Sequence, residues 1–332
     1  MNGKRVRLAA WGVLLVLAVV LPFFFNSYRV GQFTQAMALG IAVLGLNLLV
    51  GYSGQISLGH GAFFALGAYT SAISILDLGI PYLLTLPLAG IVCAVAGFLL
   101  GIPALRLRGL YLALLTLGLA IATPQIIKRA EGLTGGTQGL SIPKVSAPAW
   151  SGLADDQWLY FVTLVVAAVM FVLAAFLVRG RVGRALVAIR DNEIAARTMG
   201  VDLARYKTGA FAVSAGYAGL GGALFTLPIG FLAPESFPLA LSFAFLAAIV
   251  VGGLATIGGA LFGALFIEFV PVYAADVDEA LAGVVYGGVL ILFMYLAPGG
   301  VMGLLRRATS AVGRSREERS RLVVTEGKTE GV

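Results

Sequence analysis

Long apolar runs separated by short polar connectors dominate the chain, and ten such runs can be followed from end to end. An α-helix needs roughly 20 mainly apolar residues to cross the hydrocarbon core of a bilayer, and several runs approach that length. The pattern therefore predicts an all-α polytopic membrane protein with about ten transmembrane helices. The predicted spans are residues 8–25, 33–50, 62–76, 82–100, 110–127, 158–178, 209–227, 241–254, 257–273 and 281–296. Because runs 62–76 and 241–254 are short, a count of eight or nine also fits.

Composition agrees with this membrane assignment. Hydrophobic residues make up 59% of the chain and charged residues 12%, whereas soluble domains carry roughly 25% charged residues. The net charge of +7 does not indicate nucleic acid binding, because the basic residues gather near the N-terminus, in residues 179–207 and in residues 306–328. Clusters of this kind mark cytoplasmic segments under the positive-inside rule.

Charge and helix count together predict one orientation. If the chain starts in the cytoplasm, an even number of spans returns the basic C-terminus there and leaves the acidic connector at Asp276 outside. We therefore expect a multi-pass protein with both termini cytoplasmic. Its transmembrane domain comprises residues 1–305, with a cytoplasmic insertion at 179–207, and the polar tail 306–332 is predicted to be disordered.

Residues that could carry chemistry are few. The one cysteine, Cys93, lies in an apolar run and predicts packing rather than a disulfide or a cysteine metal site. A metal site also needs several ligands, and His60 is the only histidine, so we predict no metal and no cofactor. The 44 glycines are typical of closely packed membrane helices, and Gly259 and Gly263 are spaced for such a contact.

The basic insertion contains a stretch, residues 181–200, that predicts two short helices, and we call it the knob. Its first half repeats apolar residues at helical spacing, at Val182, Ala185, Leu186 and Ile189. Asp191 or Asn192 is placed to cap a second helix, Glu193 suits its positive end, and Gly200 suits its termination. The knob is either a connector resting on anionic lipid headgroups or a rigid docking element for a soluble partner.

A polar, uncharged segment lies between the second and third runs. Residues 51–61, which we call the glycine segment, carry four glycines together with Ser53, Gln55, Ser57 and His60. Irregular backbone at membrane depth is tolerated only where it is buried in protein or faces water. The segment therefore predicts a broken helix or a re-entrant turn inside the bundle, with an ordinary short turn between capped helices as the alternative. We interpret His60 as a structural hydrogen-bonding residue.

Five motifs, in order, resemble the LivM-type permease subunit of branched-chain amino acid ABC importers. They are GLNLLVGYSGQISLGHGAFFALGAYTSA (45–72), LRLRGLYLALLTLGLA (105–120), LTGGTQGL (133–140), GRALVAIRDNEIAARTMGV (183–201) and SFAFLAAIVVGGLATIGGALFGA (242–264). The resemblance runs from about residue 33 to residue 303. Two positions depart from the family: Ala255 stands in a motif that commonly reads G-G-L-G-T, and Pro124 stands where an acidic residue is expected.

The resemblance implies one half of a heterodimeric permease that carries leucine, isoleucine and valine across the bacterial plasma (inner) membrane. The implied partners are a LivH-type sister permease, two cytoplasmic ATPases of LivG and LivF type, and an external amino acid binding protein. The chain has no G-x-x-x-x-G-K-[ST] phosphate loop, so it is not expected to be an enzyme. The family pattern E-x-A-A-x-x-x-G marks the helix that couples to the ATPases. The candidate coupling residues are Arg190, Asn192, Glu193, Ala195, Ala196, Met199 and Gly200.

The glycine segment is then expected to contribute to the translocation path. The candidate path residues are Gly54, Gln55, Ser57, Gly59, His60 and Thr116. Closely similar permeases import urea or short-chain amides, which leaves these compounds as an alternative substrate class. An autonomous channel or secondary carrier is a further alternative. A proton- or sodium-driven carrier is expected to hold carboxylates within its helices, and only Glu268 lies inside a predicted span.

Overall fold

The computed structural model describes residues 12, 16–107, 109–277, 282–305 and 307, and this part of the chain is predominantly helical. Eight of its helices are long and apolar enough to cross a membrane, which confirms the all-α polytopic fold. A ninth apolar helix, His60–Leu76, is shorter. Predicted run 8–25 lies partly outside the described residues, so the count of ten remains approximate. The tail predicted to be disordered, 306–332, lies outside them apart from Arg307.

We number the α-helices in chain order. They are α1 Ser27–Asn47, α2 His60–Leu76, α3 Tyr82–Ala104, α4 Leu110–Arg129, α5 Glu131–Thr134, α6 Asp155–Arg179, α7 Arg181–Asp191, α8 Glu193–Thr198, α9 Leu203–Ile229, α10 Leu239–Gly252, α11 Ile257–Val277 and α12 Ala282–Leu296. Short 3-10 helices form at Leu21–Phe23, Gly136–Gln138 and Pro234–Ser236. Helix α9 begins well before the predicted run at 209–227, because the Asp202 side chain accepts a hydrogen bond from the Arg205 amide at 3.1 Å and caps it.

Helix α9 lies at the centre of the bundle and packs along α3, α2 and α1. Its 27 residues span about 40 Å at 1.5 Å per residue, enough to cross the membrane. Small residues allow the close approach. A Cβ at Gly222 would overlap the backbone of Phe64, and a Cβ at Gly67 would overlap the backbone of Gly219. The abundance of glycine therefore reflects backbone contact between helices, as the composition predicts.

The predicted glycine contact on α11 is confirmed. Gly263 packs against the backbone of Ala248, and Gly259 packs against the backbone of Gly252, so α10 and α11 cross closely. Cys93 is buried, as predicted, and its Sγ lies 3.4 Å from the Phe63 carbonyl oxygen. The second short run, 241–254, becomes part of a span of 19 residues, Pro234–Gly252, once the 3-10 turn before α10 is included.

A two-stranded β-sheet, which the sequence pattern does not predict, lies at one end of the bundle. Strand β1, Leu140–Ser141, pairs antiparallel with β2, Phe231–Leu232, directly after α9. The Lys128 ammonium lies 2.9 Å from the Glu235 carboxylate and adds an ion pair at the same end. Since the knob precedes α9 and β2 follows it, the knob and this two-stranded sheet lie at opposite ends of the central helix.

Candidate coupling and translocation site

The knob folds as two helices joined at a capped break, as its pattern predicts. Asn192, rather than Asp191, is the cap: its Oδ1 accepts hydrogen bonds from the amides of Ile194 and Ala195, both at 3.0 Å. Helix α8 then ends before Gly200, which has a φ of +84° that glycine adopts without strain. The Asn192 cap and Gly200 together fix the length of α8.

The two knob helices present different faces. Leu186 and Ile189 of α7 are buried against the bundle, so this helix is held by its apolar stripe. By contrast, Ile194 of α8 is 75% exposed. Met199, the residue directly after α8, is 85% exposed. The knob thus carries uncovered apolar side chains on a well-ordered, capped element.

Arg190 connects the knob to the glycine segment. Its Nη1 donates a hydrogen bond of 2.8 Å to the carbonyl oxygen of Gly51. The stem of the same side chain lies over Gly54, where an added Cβ would come within 2.8 Å of the arginine Cγ. Arg190 also forms an ion pair of 3.1 Å with Asp191 beside it. One side chain therefore contacts two positions of the glycine segment.

A second contact joins the knob to the central helix. The Glu193 carboxylate pairs with the ammonium of Lys207 on α9. Lys207 is only 7% exposed, and a buried charge needs such a partner. The Gln55 amide nitrogen donates to Ser53 Oγ at 2.8 Å and to the Lys207 carbonyl at 3.4 Å. The glycine segment therefore bonds to the backbone of the residue that carries the ion pair.

The glycine segment is a re-entrant stretch inside the bundle, as predicted. Helix α1 continues as a π-helix over Leu48–Tyr52, and residues 54–59 then have no regular structure. His60 Nε2 lies 2.7 Å from the carbonyl oxygen of Ala42. Ala42 lies ten residues before Tyr52, which corresponds to roughly 15 Å along a helix axis. The chain therefore turns back into the bundle beside α1 before α2 begins.

Burial alternates along this segment. Ser53, Gln55 and Ser57 are buried, whereas Gly54 is exposed and Ile56 is 45% exposed. The exposed side borders a cleft of about 170 Å³ between the glycine segment, the start of α4 and the knob. The cleft lining includes Leu112, Arg190, Glu193 and Lys207.

The other candidate path residues pack deeper in the bundle. His60 and Thr116 are both buried. Thr116 Oγ1 accepts a hydrogen bond of 2.9 Å from the Leu58 amide, and a Cβ at Gly59 would contact the Thr116 backbone. Gly54 and Gln55 therefore line the cleft, while Ser57, Gly59, His60 and Thr116 are enclosed by helices. Among the described residues, no group of three His, Cys, Asp or Glu side chains could hold a metal ion.

A buried asparagine at the end of α1, Asn47, which the sequence motifs did not single out, joins this helix to a second break, residues 252–256. Asn47 Nδ2 donates to the Thr256 carbonyl at 2.8 Å, and its Oδ1 accepts from the Ala255 amide at 2.9 Å. Ala255 has a φ of +55°, so this departure from the family motif places an alanine in the left-handed region that favours glycine. An amide within an apolar run is the signal that could have identified Asn47.

The family assignment rests on a sequence model of the branched-chain amino acid transport system permease component, which matches residues 28–294. The chain belongs to this family. LivM, the high-affinity branched-chain amino acid transport permease, is 37% identical in both Salmonella typhimurium and Escherichia coli, over 88% of this chain and 74% of the relative. BraD of Pseudomonas aeruginosa, a permease of the same description, is 25% identical over 82% of this chain and 94% of the relative. No solved structure matches.

The family match confirms the resemblance drawn from the five motifs. It begins within α1 and ends within α12, so it covers the glycine segment, the knob and the second break together. Multiple apolar spans and membership of a permease family establish a multi-pass membrane transport protein.

Proposed function

We propose that this chain is the membrane-spanning permease subunit of an ATP-binding cassette importer that moves leucine, isoleucine and valine into the cytoplasm. The observation that carries the proposal is the connection of the knob, through Arg190, to a re-entrant segment inside a permease of the branched-chain amino acid family. The basic clusters at 179–207 and 306–328 support an orientation with the knob and both termini in the cytoplasm.

The energy source in this proposal lies outside the chain. The sequence has no phosphate-binding loop, so ATP is hydrolysed by two partner subunits of LivG and LivF type and the chain itself is not an enzyme. A LivH-type sister permease completes the membrane part, and an external binding protein delivers the amino acid. The comparisons with LivM support these partners by family membership.

The knob is the docking element for the ATPases. Its coupling residues are Arg190, Asn192, Glu193, Ala195, Ala196, Met199 and Gly200. The exposed side chains of Ile194 and Met199 suit an apolar groove on a soluble partner. The cap at Asn192 and the partly buried Glu193–Lys207 ion pair attach α8 to the bundle, so closure of the ATPases would displace the structures to which the knob is bound.

Uptake by the reconstituted importer tests this function. The chain is incorporated into liposomes with its sister permease and ATPases, and binding protein loaded with labelled leucine is added. Accumulation that requires ATP and is competed by valine and isoleucine is expected. Competition by urea or short amides, with none by the aliphatic amino acids, would show that the substrate is urea or a short amide instead. Leucine flux through the chain alone, without ATP or partners, would favour an autonomous channel or carrier.

Substitution on α8 tests the docking role. Ile194→Asp and Met199→Asp place charges on exposed positions, so folding should be retained while copurification of the ATPases with the membrane subunits falls. Leu133→Asp provides a matched control, because Leu133 is also exposed but lies in the short helix α5 at the other end of the bundle. Unchanged ATPase association in the α8 variants would contradict the assignment of this surface.

A further inference from the structure

Arg190 is the knob residue that contacts the glycine segment beside the cleft. Gly51 lies in the π-helical continuation of α1, and its carbonyl accepts from Arg190 Nη1 at 2.8 Å. Carbonyls at the end of a helix lack the next turn of amides and need other donors. The guanidinium supplies such a donor from outside the helix, with the added strength of a charged group.

The stem of Arg190 makes a steric contact as well. Gly54 has a φ of +71°, a conformation that glycine adopts without strain. A Cβ there would lie 2.8 Å from Arg190 Cγ and 3.4 Å from Arg190 Cβ. The glycine segment is therefore held by a hydrogen bond at Gly51 and by packing at Gly54, on either side of its turn away from α1.

The other knob contact ends on a different element. Glu193 pairs with Lys207, which belongs to α9. Arg190 and Glu193 thus connect one knob to two separate walls of the cleft, since the cleft is lined both by the glycine segment and by Lys207. Because the knob also borders the cleft, its displacement reshapes the cleft, and the Arg190 contact determines whether the glycine segment moves with the knob.

We propose that Arg190 is a positioning residue that transmits movement of the knob to Gly51 and Gly54, and so sets the opening of the cleft at the inner end of the path. This proposal rests on the proposed function. A purely structural arginine would alter the amount of folded protein or the ATPase rate, whereas a transmitting arginine alters how much substrate moves for each ATP hydrolysed. That ratio is the measurement that separates the two roles.

The first experiment measures labelled leucine uptake and phosphate release in the same proteoliposomes. Arg190→Ala is expected to lower the leucine moved per ATP about tenfold, as for the loss of one charge-assisted hydrogen bond. Arg190→Lys keeps a cationic donor and should recover part of the ratio. Arg184→Ala is the matched control, because Arg184 is an exposed arginine of α7 that bonds only to the nearby Arg179 carbonyl in the described contacts.

The second experiment tests the contact with Gly54 directly. Gly54→Ala pushes against Arg190 and should lower the ratio, and this effect should disappear in the Gly54→Ala, Arg190→Ala double variant, which then matches Arg190→Ala alone. Gly79→Ala is the control for backbone strain, because Gly79 also has a positive φ, +61°, but has open space around it. Should Arg190→Ala fail to assemble, Gly54→Ala and Arg190→Lys carry the same test.

Several outcomes would overturn the proposal. These are an unchanged leucine-to-ATP ratio in Arg190→Ala, independent and multiplicative effects of the two substitutions, or an equal loss in Gly79→Ala and Gly54→Ala. Failure of the wild-type complex to accumulate leucine with ATP is a different result. That result would reject the proposed function itself, before any variant is compared.

Discussion

Asn47 is expected to stabilise the contact between the end of α1 and the second break. Its side chain is almost fully buried and bonds the Thr256 carbonyl and the Ala255 amide at 2.8 and 2.9 Å. Asn47→Ala removes both partners at once. The Ala255 amide is then left without its hydrogen bond, whereas the Thr256 carbonyl, directly before α11, keeps its partner in the first turn of that helix.

The magnitude follows from those two groups. An unpaired buried donor or acceptor costs about 1–3 kcal/mol, whereas hydrogen bonds between membrane helices average about 0.6 kcal/mol when neighbouring groups can replace the lost partner. The Ala255 amide is a backbone group in a turn with a φ of +55°, so replacement of its partner is restricted. We expect Asn47→Ala to lower the free energy of unfolding by about 1–3 kcal/mol.

Reactivity of the buried cysteine provides the assay. Cys93 is the only cysteine of the chain and is fully buried, so a thiol-reactive dye reports its exposure as the detergent-solubilised protein is heated. The Asn47→Ala midpoint should fall by roughly 5 °C, given about 2–4 °C per kcal/mol for chains of moderate size.

Thr34→Val is the matched control for Asn47→Ala. Thr34 is also buried on α1, but its hydroxyl bonds only to the Val30 carbonyl one turn earlier, at 2.9 Å. That carbonyl keeps its helical partner when the hydroxyl is removed, so the midpoint should change little. Equal midpoints for Asn47→Ala and Thr34→Val would refute the reasoning, because they would show that the Ala255 amide finds another partner.

Three further substitutions test close contacts. Ala255→Gly is expected to stabilise the protein by about 0.5–1 kcal/mol, because the left-handed region costs an L-residue about 1–2 kcal/mol and glycine offsets part of the gain through backbone entropy; a lower midpoint would contradict this. Gly222→Ala should destabilise by about 2 kcal/mol through overlap with the facing helix backbone, while Gly118→Ala, which has open space, should be neutral. Equal midpoints for Gly222→Ala and Gly118→Ala would show that the helices at Gly222 can move apart at little energetic cost. Gly59→Leu should reduce leucine uptake more than His60→Asn, because a side chain at Gly59 meets backbone whereas the histidine supplies one hydrogen bond. The reverse order would indicate a transport role for His60.

The helices were predictable because the bilayer imposes local rules. A spanning segment must satisfy its own backbone and expose apolar side chains, so the apolar runs mark α3, α6 and most other spans in the sequence. The knob was predictable for a similar reason. Helix capping acts over three or four residues, so Asn192 and Gly200 determine the ends of α8 without reference to the rest of the fold.

The direction of side chains in the glycine segment was not predictable in the same way. Polar composition suggested that Ser57 and His60 belong to the path, but both are enclosed, and Ile56 lies on the exposed side instead. Residues 54–59 have no regular backbone repeat, so the side chains that face outward are decided by contacts with neighbouring helices. One such contact is the hydrogen bond from the Leu58 amide to Thr116, on a helix far along the chain. The transport role of the candidate path residues remains a prediction.

The amino-acid sequence by itself determined the membrane class, the family, the approximate spans and the two-helix knob, since each depends on composition or on neighbours within a few residues. Only the tertiary structure decided what the knob and the breaks contact. Arg190 meets Gly51 across 139 residues of sequence, and Asn47 meets Thr256 across 209. Such contacts carry no local signal, because they depend on how the helices pack and on which backbone groups each break leaves to be satisfied.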